Sequence, residues 1–339
     1  MRFGLALPHY DFSVVGEYPL SWATVRDTAK AAEAMGLDSL WVSDHLFLDI
    51  GKYGGSDHPE AAFEPIVTLA ALAREVEHVR LGTLVFCEAL RPASVLAKAV
   101  ATLDRISGGR IDVGLGAGWY EPEYTAVGMD FPPPGVRLAR LRDALHIVKP
   151  LLGPEGGPVV FDGEYHRANG ARNRPTAVQD PRPPVFIGGK GDRLLRLVAE
   201  RADGWNTCWV WTPEDYADRR KVLDRECERI GRDPDTVWRS LGLYALCGEN
   251  EADLERRFER LRERTPPGVL DRVSLEQWRQ GRLVGTVEQV QEQMAQWAAL
   301  GVETLILGVG AVPFHLGSHD DLELLAHAAG VTKRVPAAG

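Results

Sequence analysis

Residues 93–119 read ASVLAKAVATLDRISGGRIDVGLGAGW. Ala93 to Ile106, dense in Ala, Leu and Val, predicts a helix, and Gly108-Gly109 stops it. Ile111 to Leu115 predicts the strand that follows. A helix running straight into a short apolar strand is half of a parallel-sheet unit, so the fold turns on how often the chain repeats it.

Towards the N-terminus, Val79 to Phe86 predicts a strand, Ala62 to Val76 a helix and Ser39 to Val42 another strand. Trp22, Val25, Ala29 and Ala32 recur at spacings of 3, 4 and 3, which is one helix face, with Ser21 as N-cap and Gly36 as stop. Phe3 to Leu7, ended by Pro8, is the first strand. Towards the C-terminus, Leu138, Leu141, Leu145 and Val148 mark a helix, Val185 to Ile187 a strand, Leu194 to Glu200 a helix and Trp205 to Cys208 a strand. Thr212-Pro213 sets an N-cap and a first-turn proline ahead of a stripe of Tyr216, Leu223, Cys227 and Ile230, ended by Gly231. Leu241 to Leu246 is a strand, and Thr286 with Gln289 makes a capping box ahead of Val287, Val290, Met294 and Trp297. Thr304 to Leu307 is the last strand, and about Asp320 to Ala329 the last helix.

About eight strands, each followed by a helix, in 339 residues fit a closed (β/α)8 TIM barrel better than an open doubly wound sheet, which the count alone leaves standing. No composition break divides the chain, so 1–330 reads as one barrel domain and 331–339 as a loose tail. Two segments interrupt the rhythm: about 120–184, with Phe131-Pro132-Pro133-Pro134 and a hairpin around Phe161 to Arg167, and about 264–282, with Pro266-Pro267-Gly268. Long insertions in a barrel often line the active site.

A net charge of −9 argues against nucleic acid as the main partner. Cys87, Cys208, Cys227 and Cys247 show no CxxC spacing and read as free thiols. The histidines form no HxH, HxxxH or HExxH pattern, and GxSxG is absent, so neither a metal site nor a serine hydrolase is expected. Met1 to Pro8 reads as a strand and not a signal peptide, and no apolar run reaches 18 residues, so the expected location is cytoplasmic.

In a barrel the chemistry sits at the carboxyl ends of the strands. The second strand ends in Ser43-Asp44-His45, where Asp44 and His45 are either an acid/base pair or a helix cap and an ordinary loop histidine. The third ends near Cys87, read from the residues as a small buried hydrophobe. The fourth runs into Gly114-Leu115-Gly116-Ala117-Gly118-Trp119; glycine at every second position leaves one face bare, so a flat ring or a backbone can approach, or the strand simply needs small residues for packing. It is not a dinucleotide fingerprint, because the third glycine comes too early and Pro122 follows. The fifth ends in Gly188-Gly189-Lys190-Gly191-Asp192-Arg193 at a helix start, where backbone amides with Lys190 and Arg193 suit a phosphate better than a plain turn.

Seven segments in order resemble the luciferase-like flavin-dependent superfamily, most closely the actinobacterial type of F420-dependent oxidoreductase. They are Gly36-Leu37-Asp38-Ser39-Leu40-Trp41-Val42-Ser43-Asp44-His45, Arg80 to Val85, Leu96 to Asp104, Ile106 to Arg110, Gly114 to Trp119, Ile187-Gly188-Gly189 and Ala202-Asp203-Gly204-Trp205-Asn206. They cover about residues 1–210. The resemblance implies a barrel, usually a homodimer, with the cofactor ring at the carboxyl end. It places the cofactor along Asp44, Leu84, Val85, Cys87, Ala117, Gly118 and Trp119, with its phosphate at Gly188, Gly189, Lys190 and Arg193. It implies a non-prolyl cis peptide at Leu84–Val85 and makes His45 the acid/base beside Asp44. Where some deazaflavin dehydrogenases of the family carry a glutamate, this chain has Trp119, followed by Glu121 and Glu123, which argues against a sugar-phosphate dehydrogenase.

The resulting expectation is hydride transfer between coenzyme F420 and a small organic substrate. The rivals are an FMN-dependent monooxygenase using oxygen and a separate flavin reductase, a non-catalytic flavin-binding barrel, and a barrel with no redox cofactor. Arg137, Arg140, Arg172 and Arg174 are candidates for the acidic tail of F420, and His9, Tyr10 and Phe47 for the substrate pocket. Neither a membrane nor nucleic acid is an expected partner.

Overall fold

A computed structural model describes residues 1–331; of the expected tail, all but Val331 lies outside the described residues. Eight parallel strands form a closed ring: β1 (Arg2–Ala6), β2 (Ser39–Val42), β3 (Arg80–Thr83), β4 (Ile111–Gly116), β5 (Val185–Gly188), β6 (Gly204–Trp209), β7 (Trp238–Gly248) and β8 (Thr304–Gly308). The ring closes where Val185 pairs with Val113 between β5 and β4, and where Phe3 pairs with Leu305 between β1 and β8. The chain therefore forms a (β/α)8 barrel, and closure removes the open-sheet alternative.

The barrel helices are α1 (Trp22–Met35), α2 (Pro65–Glu75), α3 (Ala93–Ser107), α4 (Pro134–Leu152), α5 (Asp192–Arg201), α6 (Pro213–Arg229), α7 (Val287–Ala299) and α8 (His319–Ala328). Local chemistry sets their ends. Ser21 accepts from the Thr24 amide at the start of α1, and Gly36 closes it in the left-handed region at φ 95°. Thr212 caps α6, and Thr286 with Gln289 forms the capping box of α7. Leu96, Val100 and Leu103 of α3 are buried against the sheet, each contributing about 1.5–3 kcal/mol of apolar burial.

Several boundaries differ from expectation. α2 starts at Pro65, not Ala62, because Pro65 suits the first helical position and Glu64 caps the Val67 amide. Ala62 instead bridges to Tyr10. α6 ends at Arg229, leaving Ile230 exposed, outside the buried stripe. The expected strand over 79–86 breaks after Thr83: the chain bulges at Leu84–Val85, whose peptide is cis, and rejoins β4 as Phe86–Cys87. The hairpin of the first insertion is Val159–Asp162 with Arg167–Ala171. A helix at Glu251–Glu263 and a strand at Leu283–Thr286 paired to β7 were not anticipated.

The barrel interior is packed with side chains. Trp41 fills its middle against Phe186 and Trp238, and Gly4 and Gly82 make room for it: a Cβ on Gly82 would lie 2.3 Å from the indole. All four cysteines are free thiols. No helix among the described residues is long and apolar enough to cross a membrane.

Candidate active site

A cavity of about 450 Å³ opens at the carboxyl ends of the strands, within the range of small-molecule sites. It gathers most of the residues singled out from the sequence: Asp44, His45, Leu84, Val85, Cys87, Ala117, Gly118, Trp119, Gly188, Gly189 and Lys190 all line it. Arg193 does not; it is exposed on the first turn of α5. Tyr10 also lines the cavity, whereas His9 is buried outside its lining and Phe47 packs near Tyr120, 6.1 Å between ring centres.

The bare face of the β4 glycines is not open to a ligand ring. A Cβ on Gly114 or on Gly116 would lie 2.6 Å from a Val85 methyl, and one on Gly188 would lie 3.0 Å from it. The glycines thus make room for Val85, which bulges across β4 and β5 and joins the cavity wall. Thr83 replaces the ladder bonds lost at the bulge: its hydroxyl donates to the Gly114 carbonyl at 3.2 Å and accepts from the Gly114 amide at 3.0 Å. Gly118 has a separate requirement, since φ is 73° and a Cβ there would sit 2.0 Å from the Tyr124 hydroxyl.

Asp44 and His45, adjacent in sequence, have different partners. Arg91 donates to both Asp44 carboxylate oxygens, at 2.7 and 3.0 Å, and the Cys87 amide donates to one of them at 2.9 Å. Burial pushes the Asp44 carboxyl up from its ordinary value, and the Arg91 pair opposes that. Asp44 therefore ties β2 to the segment after the bulge. His45 Nδ1 lies 2.9 Å from Oε2 of Glu123, whose other oxygen accepts from the Leu46 amide. Glu123 sits on a short helix, Glu121–Ala126, inside the first insertion, and its side chain is only 3% exposed. With Nδ1–H donated to a carboxylate, Nε2 is the ring atom free for proton transfer. Trp119 and Tyr120 pack edge-on around the imidazole at 5.5 and 6.0 Å.

Beneath them, His9 accepts from the Ser43 amide at Nε2, 3.2 Å, and donates from Nδ1 to the Leu7 carbonyl, 2.8 Å. Burial depresses its pKa to about 3, so it is a neutral structural histidine. Burial also pushes the Cys87 thiol up to about 11, which keeps it protonated and unreactive, in keeping with its reading as a small hydrophobe.

At the fifth strand, α5 begins at Asp192 with Gly191 as N-cap and no side-chain cap. A Cβ on Gly191 would meet nothing within 4 Å, so this end of the helix is open beside Lys190. Arg140 is occupied instead by Glu88, at 3.0 Å, which also meets His166 at 2.8 Å. Arg137 donates to the Gly118 carbonyl at 3.2 Å and covers the Phe131 ring. Arg172 and Arg174 are exposed. Sequence reasoning missed Lys52, Tyr53, Trp209 and Phe314, which also line the cavity. Lys52 and Tyr53 lie on a single 3-10 turn, Gly51–Tyr53, with no motif; Trp209 is the last residue of β6, and Phe314 follows β8.

Comparison with known proteins follows the same lines. The family model described as luciferase-like monooxygenase matches residues 1–304. An F420-dependent glucose-6-phosphate dehydrogenase from Kineococcus radiotolerans is 36% identical over 183 residues, 53% of this chain and 50% of that one, so the chain spans about half the length of that relative. A phthiodiolone/phenolphthiodiolone dimycocerosates ketoreductase of Mycobacterium tuberculosis is 28% identical over 246 residues, 69% of this chain and 64% of that one. Among solved structures, a monooxygenase from Streptomyces bottropensis has TM-score 0.75 at 24% identity, covering 97% of this chain and 98% of that one. An F420-dependent secondary alcohol dehydrogenase has TM-score 0.73 at 19% identity, covering 97% of both chains. At these identities the solved structures speak to the fold, and the match over residues 1–304 decides the family: the chain belongs to the luciferase-like monooxygenases.

Proposed function

We propose that this protein is an F420-dependent oxidoreductase that moves a hydride between the deazaflavin and a small organic substrate, with His45 as acid/base. The observation that carries the reading is the His45–Glu123 pair, set at an apolar cavity whose wall is the Val85 bulge. The residues present suit the cofactor. The Val85 bulge offers an apolar surface for a flat ring, Ala117-Gly118-Trp119 a small-residue track, and the uncapped start of α5 with Lys190 an anion cradle. The relatives named as F420-dependent dehydrogenases favour the deazaflavin over FMN.

When bound, the deazaflavin supplies the hydride chemistry. The chain's own work is positioning and proton handling. Glu123 holds the His45 ring by Nδ1, so Nε2 can give a proton to, or take one from, a substrate oxygen. Trp119, Tyr120 and Tyr53 line the approach to it. Asp44 keeps the bulge in place through Arg91 and the Cys87 amide, and acts on the chemistry through that geometry. A cytoplasmic homodimer acting on a small molecule completes the proposal.

The test is turnover: absorbance of the deazaflavin followed with a panel of alcohols, aldehydes and ketones, in both directions. Substrate-dependent bleaching or recovery supports the reading. Oxygen consumption with reduced FMN, and none with the deazaflavin, would replace it with the monooxygenase.

A further inference from the structure

The acids, lysines and histidine that line the cavity all come from the segments after β2, β4 and β5. Asp44, His45 and Lys52 follow β2, Glu123 follows β4 and Lys190 follows β5. The lining residues from β6 onward are uncharged, and two of them, Trp209 and Phe314, are aromatic. The Trp209 indole reaches from the end of β6 over β7 to β8. It stacks on Tyr244 of β7 with ring centres 5.2 Å apart, and a Cβ on Gly308 of β8 would lie 3.1 Å from it. In the ring of eight strands, β7 and β8 stand opposite β3 and β4. This aromatic wall therefore lies across the barrel from the Val85 bulge.

Phe314 joins that wall in a strained backbone conformation. Its φ is 58°, and among the described residues it is the only non-glycine residue with a positive φ. It takes the third place of a turn, Val312-Pro313-Phe314-His315, closed by the His315 amide on the Val312 carbonyl at 3.2 Å. Proline suits the second place of such a turn, whereas a third place at positive φ suits glycine. The rest of the loop enforces the strain. The Leu316 amide donates to the Ser13 carbonyl at 2.9 Å and the Gly317 amide to the Val309 carbonyl at 2.7 Å. The His315 ring accepts from the Ala311 amide at 3.2 Å and donates to the Arg264 carbonyl at 2.7 Å. Backbone strain persists only where the surroundings over-determine it, and it collects at ligand sites. What phenylalanine adds to the turn, and glycine would not, is a ring. That ring lines the cavity, 5.3 Å from the centre of Trp209 and 4.6 Å from that of His9.

We infer that Trp209 and Phe314 form an aromatic subsite that seats a flat ring of the substrate, with Phe314 as the specificity-determining residue. Trp209 is partly exposed and offers the contact surface. Phe314 is only 3% exposed and fixes the indole by packing at 81° to it. Two rings and no charge on this side match a neutral aromatic group. The substrate class is then a small uncharged molecule built on an aromatic ring. The inference deepens the proposed function, on which the word substrate rests, but the subsite itself can be tested without turnover.

The experiment is ligand-observed NMR on the whole protein with benzyl alcohol, cyclohexylmethanol and benzoate, with F420 affinity followed separately by fluorescence. Benzyl alcohol is expected to bind about two- to tenfold tighter than cyclohexylmethanol, the ratio that aromatic pairing adds to plain apolar burial. Benzoate should bind no tighter than benzyl alcohol. Trp209→Leu and Phe314→Leu should each remove the aromatic preference and leave F420 affinity nearly the same. Phe314→Gly relieves the backbone and keeps the test open if the leucine variant folds poorly. In urea unfolding Phe314→Gly should be more stable than Phe314→Ala, because only glycine is at ease at this φ. Equal binding of benzyl alcohol and cyclohexylmethanol, tighter binding of benzoate, or a preference untouched by Trp209→Leu and Phe314→Gly overturns the subsite. So does a Trp209→Leu protein that loses F420 in step with benzyl alcohol, since the wall would then seat the cofactor. An aromatic preference that depends on Trp209 and Phe314 in a protein that never binds F420 leaves the subsite standing and removes the cofactor reading alone.

Discussion

His45 Nδ1 and Glu123 Oε2 lie 2.9 Å apart across 78 positions of sequence, and the second Glu123 oxygen takes the amide of Leu46, the residue after the histidine. One buried carboxylate thus sets both the tautomer of the ring and the path of its backbone. Glu123→Gln should reverse the tautomer. The Leu46 amide needs the remaining oxygen, so the new NH2 faces Nδ1 and the ring proton moves to Nε2. Ring 15N shifts of His45 read this directly, and turnover should fall about 10²-fold or more through loss of proton transfer. An unchanged tautomer with unchanged turnover contradicts the positioning role.

Replacing the histidine itself separates chemistry from binding. His45→Ala should lower turnover by about 10²–10⁴-fold and leave F420 affinity nearly intact, because the ring handles the proton and not the anchoring of the cofactor. Steady-state kinetics and a fluorescence titration of the same preparation check both halves.

Asp44 should behave differently. Both its oxygens are taken by Arg91, and one by the Cys87 amide. Asp44→Asn breaks a buried ion pair and should cost about 3–5 kcal/mol in urea unfolding. A variant as stable as the parent but as inactive as His45→Ala would put Asp44 in the chemistry instead.

The fit of Val85 into the glycine face is testable by paired substitution. Gly116→Ala brings a methyl to about 2.6 Å from Val85 Cγ2 and should destabilise by about 1–3 kcal/mol. Val85→Ala in the same chain should recover part of that loss, which a double-mutant cycle in urea measures as coupling. Strict additivity would mean that the two residues do not compete for space.

Two buried histidines make stability fall in acid. Burial lowers His9 from 6.5 to about 3 and His315 from 6.5 to about 4. Below pH 6.5 the unfolded chain takes up protons that the folded one refuses, so their contribution is full above 6.5 and is lost as pH falls towards 4 and 3. Each should add a slope of about 1.4 kcal/mol per pH unit in that window. Urea unfolding at pH 7 and pH 5 measures it, and His315→Gln should flatten it by one proton.

Much of the barrel was legible because short-range chemistry writes it. Ser21, Gly36, Thr212-Pro213 and the Thr286–Gln289 box each act within four residues, so their readings hold in the structure. The site was legible only by strand ends. That Glu123 reaches His45, or that Arg91 claims Asp44, depends on contacts across 78 and 47 residues that no local pattern encodes. The glycine run shows the limit most clearly. Its bare face was visible in the sequence, but its occupant, Val85, comes from the bulge that follows β3. The helix Glu251–Glu263 has an Asn250 cap and buried Leu254, Phe258 and Leu261 at spacings of four and three. That signal is local and present in the sequence.

The central claim is the cofactor, and fluorescence titration of the purified apo-protein with coenzyme F420 and, separately, with FMN tests it most directly. The account predicts micromolar or tighter binding of F420 with FMN much weaker, and loss of that binding when Lys190 is replaced by Met. Tight FMN binding with F420 left free in solution would contradict it.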